Sequence, residues 1–133
     1  MNWHDDFIDL VLLAPKQNPF WNNKIEKAIR DIHSHVEFPL TDKLKEQIRN
    51  IGEPSPEKMS VKSKQYLNRK LKEFGVNDQI QIEHMISVKT IIKKIWLLKK
   101  ENTKPTPEMI RTLMNQNTNC IYKLRKKEKE LHG

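Results

Sequence analysis

The sequence predicts a mainly α fold of the α+β class: a helical domain with one small two-stranded β element near its C-terminal half. Apolar residues recur at three-and-four spacing through most of the chain, and residues suited to cap or stop helices stand between those stretches. Two segments depart from that period. Ile80 and Ile82 alternate with Gln79, Gln81 and Glu83, which makes Gln79 to His84 a short strand, and Cys120-Ile121-Tyr122-Lys123-Leu124 is rich in β-branched and aromatic residues. An isolated hairpin needs a packed layer to persist, so helices must cover this pair.

Taken in order, Asp5 to Ala14 is the first helix, with acidic residues in its first turn and Pro15 ending it. Residues 15–19 form a loop. From Trp21, the positions of Ile25, Ala28, Ile29, Ile32 and Val36 draw the stripe of an amphipathic helix that stops before Phe38-Pro39. Thr41 caps the next helix, whose Leu44, Ile48 and Ile51 share a face before Gly52 turns the chain. Glu53-Pro54-Ser55-Pro56 is a linker too short to force a domain boundary. Ser60 to Phe74 reads as a basic helix with Leu67, Leu71 and Phe74 inward, closed by Gly75. Ser87 caps a helix through Lys100 with Val88, Ile91, Ile92, Ile95 and Leu98 buried, and Thr106-Pro107 opens one bearing Ile110, Leu113 and Met114. Arg125 to Leu131, a charged run of strong helix formers, is expected to close the chain as a helix.

At 133 residues the chain has the length of one domain, with an acidic to neutral helical part over 1–52 and a basic part over 53–133. The hydrophobic fraction of 36% is lean against 32% charged residues, yet its periodicity argues for a folded core. One cysteine, Cys120, excludes an internal disulfide and a multi-cysteine zinc site, and its apolar neighbours suit an inert buried thiol despite nearby Lys123. The three glycines are too scattered for a phosphate-cradling loop. No apolar run reaches a membrane-spanning length, and residues 1–6 lack the basic start of a signal peptide, so a cytoplasmic protein with no membrane partner is expected.

The net charge of +8 is unevenly spread: residues 1–50 carry 7 basic and 8 acidic side chains, and residues 51–133 carry 18 and 9. A positive field confined to one part of the chain suits a polyanion, because each phosphate that is neutralised releases counterions. Lys62, Arg69, Lys93, Lys94, Lys123, Arg125, Lys126 and Lys127 are the candidate nucleic-acid contacts, for DNA or RNA alike. Lysine outnumbers arginine among them, which favours contact with phosphate over reading of bases. A protein partner for the helical surface is the other expectation.

Glu83-His84-Met85-Ile86, followed at a distance by Asn119 and Glu128, resembles the HNH or His-Me finger endonucleases. By that resemblance His84 is the general base, Asn119 orients it, Glu83 and Glu128 are ligands of a divalent metal such as Mg²⁺ or Mn²⁺, and His132 is a less well aligned substitute. The chemistry is coherent, since a neutral imidazole deprotonates water near pH 7 and the metal stabilises charge on phosphate oxygens. The sequence departs from the family pattern in carrying Ser87 where a proline is usual, in lacking a cysteine knuckle and in the long interval from Glu83 to Asn119. Two functions of different class follow: a metal-dependent HNH-like nuclease, or a non-catalytic module that binds nucleic acid or protein through a basic helical surface. His33 and His35, two apart on a helix, point to different sides and are expected to serve packing, not a shared metal.

Overall fold

The computed structural model of the chain describes residues 2–126. Among them are six helices: α1 (Asp5–Leu13), α2 (Pro19–Ser34), α3 (Asp42–Asn50), α4 (Val61–Glu73), α5 (Val88–Glu101) and α6 (Pro107–Asn117). Four strands accompany them: β1 (Phe38–Pro39), β2 (Lys58–Met59), β3 (Asp78–His84) and β4 (Cys120–Lys126). The mainly helical α+β class holds, and β3 pairs with β4 as the alternating pattern predicted. A second pairing is added, in which Phe38 faces Met59 and Pro39 faces Lys58 in antiparallel register. Two-residue strands are too short to show a period, so they left no signal in the pattern.

The described residues fall into two compact units that do not follow the change of charge near residue 52: residues 2–36 with 84–119, and residues 37–83 with 120–126. In the first unit, Asn18 accepts from the Trp21 N–H at 2.9 Å with Pro19 opening α2, and Ser87 and Thr106 cap α5 and α6 in the same way. The four helices bury one core that includes Trp3, Ile8, Val11, Ile25, Ile29, Ile91, Ile95, Ile110 and Met114. Two side-chain contacts tie its helices together. Trp96 Nε1 donates to Asn22 Oδ1 at 2.7 Å, tying α5 to α2. The Lys99 ammonium donates to the carbonyls of Val11 and Ala14 and covers the C-terminal end of α1, which has no basic residue of its own in its last turn.

The second unit is built on α3 and α4. Thr41 caps α3, and Gly52, at φ 83°, lets the Glu53 N–H fold back to the Ile48 carbonyl at 3.2 Å. Gly75, at φ 77°, does the same for Val76 and Leu71 after α4. The Asn68 side chain, projecting from α4, accepts from the Ile80 N–H at 2.7 Å and donates to the Ile80 carbonyl at 3.3 Å. It stands in for a neighbouring strand and fixes β3 on the helix. Tyr122, fully buried, lies edge-on to Phe38 and accepts at its carbonyl from the Thr41 N–H.

One expectation is corrected here. Arg125 and Lys126 are strand, not the start of a helix. Lys123 and Arg125 lie two apart and so share a face of β4, where both pair with Glu83 of β3. The rest of the expected final helix lies outside the described residues.

Candidate nucleic-acid interface

Helix α4 buries Leu67 and Leu71 and leaves Lys62, Gln65, Tyr66, Arg69 and Lys72 exposed. Their three-and-four spacing places them in one stripe along the helix. Beside it run two adjoining hollows of about 840 and 230 Å³ that share Asn68 and Arg69. Lys62, Gln65 and Tyr66 line the first, and Lys72, Asn77, Asp78 and Gln79 line the second. Tyr66 is placed by its hydroxyl, which donates to Glu53 at 3.4 Å, and by the Lys70 ammonium 5.6 Å from its ring centroid. The stripe thus offers two ammonium groups, a guanidinium, an amide and an aromatic edge on a surface open to solvent.

The other expected cations divide among different surroundings. Lys93 is exposed in the first unit and lines a hollow of about 340 Å³ with Lys89, Glu26 and Asn22. Lys94 donates to Asn117 Oδ1 at 2.8 Å, an internal bond in that unit. Lys123 and Arg125 stand 2.7 and 3.6 Å from the two Glu83 oxygens, so one carboxylate answers two cations. Lys126 is exposed, and Lys127 lies outside the described residues.

The residues assigned by resemblance to a nuclease site go to different places. The hydrogen bond from Lys123 holds the Glu83 carboxyl below its usual range, helped by the charges of Lys123 and Arg125. His84, next along the strand, faces the opposite side and meets His33, with His84 Nε2 3.1 Å from His33 Nδ1. Asn119 is exposed, and its part in this region is its backbone carbonyl, which accepts from the Met85 N–H at 2.9 Å. Glu128 and His132 lie outside the described residues. Glu83 and His84 thus turn to different partners, the carboxylate to Lys123 and Arg125 and the imidazole to His33.

The histidine pair went unseen in the spacing of the sequence, which set His33 against His35. His33 is 3% exposed and continues the buried stripe of Ile25 and Ile29, one helical repeat further on. A histidine at a core position of an amphipathic stripe was the available signal; its partner, 51 residues away, was not. Trp3 packs edge-on to the His33 ring at 5.8 Å between centroids. Burial, the neighbouring His84 and Arg30 bring the His33 pKa down to about 4, and burial and Arg30 lower that of His84. Cys120 is buried, and burial pushes its thiol up to about 11, which makes it a poor nucleophile.

No protein-family model, curated protein or solved structure shows a significant match to the chain. Among the described residues, no helix is long and apolar enough to cross a membrane.

Proposed function

We propose that the protein is a non-catalytic nucleic-acid-binding module that uses the exposed face of α4. The observation that carries this reading is the single stripe of Lys62, Gln65, Tyr66, Arg69 and Lys72 beside its two adjoining hollows. Ammonium and guanidinium groups spaced along a helix can contact successive phosphates, and the amides of Gln65 and Asn68 can bond to sugar or phosphate oxygens. One arginine among lysines gives little to read bases with, so binding follows charge and not sequence. A metal-dependent nuclease at His84 is the second reading, and the pairing of Glu83 with Lys123 and Arg125 favours the binding role over it.

Fluorescence anisotropy of labelled oligonucleotides across a salt series tests the proposal. Affinity should fall linearly on a log–log plot as salt rises. A Lys62→Ala/Arg69→Ala double variant should reduce that slope by about 1.5 to 2 with no change in base preference. The wild type should leave the oligonucleotide intact in Mg²⁺ or Mn²⁺. Absence of binding at low salt, or an unchanged slope in the double variant, would remove the α4 face from the account, and metal-dependent cleavage would restore the nuclease reading.

A further inference from the structure

The histidine pair of the first unit is unused by the proposed binding face, and its geometry has a chemistry of its own. His33, from the last turn of α2, and His84, where β3 ends, present Nδ1 and Nε2 to each other at 3.1 Å. The ring centroids are 5.1 Å apart and the planes differ by 32°. That separation is shorter than a straight head-on N–H···N contact of the same length would give, which leaves the contact bent. Two metal–nitrogen bonds of ~2.05 Å drawn to atoms this far apart would meet at about 100°. This lies between the angles of square-planar and tetrahedral coordination, so an ion can take both nitrogens with little movement of either ring.

We propose that His33 and His84 form a binding site for a divalent transition-metal ion of the Zn²⁺ class. Imidazole nitrogen suits Zn²⁺, Ni²⁺ and Cu²⁺ and excludes Mg²⁺ and Ca²⁺, which select oxygen. Burial keeps both rings in the neutral form that coordinates metal. His33 is fixed in the core against Trp3, while His84 is only partly buried, so the ion enters from the His84 side and water completes its coordination there. Arg30 opposes the ion with its charge, but its guanidinium lies 3.7 Å from the Glu26 carboxylate, which offsets part of that repulsion.

The full-length protein, stripped with a chelator, is titrated with Zn²⁺ against a chromophoric competitor while the histidine ring resonances are followed by NMR. One equivalent should bind, with shifts at His33 and His84 and none at His4 or His35. A His84→Gln variant, altered at the more accessible ring, should keep its helical circular dichroism and lose affinity at least about tenfold, since one of two protein ligands is gone. A His33→Gln variant should behave alike; should it fail to fold, the resonance shifts and the His84→Gln titration decide. No uptake by the wild type, shifts confined to other histidines, or undiminished affinity in His84→Gln overturns the proposal.

Discussion

His33 occupies the place in α2 where Ile25 and Ile29 would lead one to expect another aliphatic side chain, and that substitution has a thermodynamic sign. His84 and Arg30 both act with burial to keep it neutral. In the unfolded chain it titrates near the usual 6.5 of a histidine; in the fold it does so at about 4. Between those values the unfolded state binds more protons, so stability falls as pH falls through that window, and the loss is complete below about 4. With 1.36 kcal/mol per pKa unit, the loss is about 3 kcal/mol for the metal-free protein. Urea titrations in chelator across this range should show it, and a His33→Leu variant should flatten the dependence. An unchanged slope in that variant would place the titrating group elsewhere.

Asn68 does for a whole element what a paired strand would otherwise do, since one carboxamide meets both the N–H and the carbonyl of Ile80. Ile80 is 1% exposed, so neither backbone group has water to fall back on. An Asn68→Ala variant should therefore lose about 1 to 3 kcal/mol in chemical denaturation, the cost of leaving buried polar groups unmade. Asn68→Asp, which can accept from Ile80 but not donate to its carbonyl, should fall between the two. Most of the elements themselves were legible: the caps at Thr41, Ser87 and Thr106 and the glycines at 52 and 75 mark helix ends by local chemistry that needs no tertiary partner. What was not legible depended on partners distant in sequence. The β1–β2 pairing joins residues some twenty apart, the pairing of Lys123 and Arg125 with Glu83 joins residues some forty apart, and the meeting of His33 with His84 spans 51 positions. Of the candidate interface, the basic character of α4 was plain in the sequence, while the separate partners of Glu83 and His84 follow from the alternation of a strand, which turns neighbours to opposite faces.

Across the whole molecule, the two units are each assembled from segments separated in the chain, 2–36 with 84–119 and 37–83 with 120–126. Tyr122 is fully buried in the second unit and Cys120 is nearly so, and β4 is the partner of β3. A chain ended at residue 119 should thus keep the helices and core of the first unit while the second loses its packing. Hydrogen exchange would check this: amides of α5 and α6 should stay protected and those of α3 and β3 should exchange freely. Protection of β3 in the shortened chain would show that Asn68 alone suffices to hold it. The interleaving also bears on synthesis. A nascent chain emerges from its first residue onward, and when residue 83 has left the ribosome neither unit yet has all its parts: α1 and α2 await α5 and α6, and α3, α4 and β3 await β4. The apolar stripes made first must wait in the open for those made last, so neither unit can close until segments that follow residue 83 have been made.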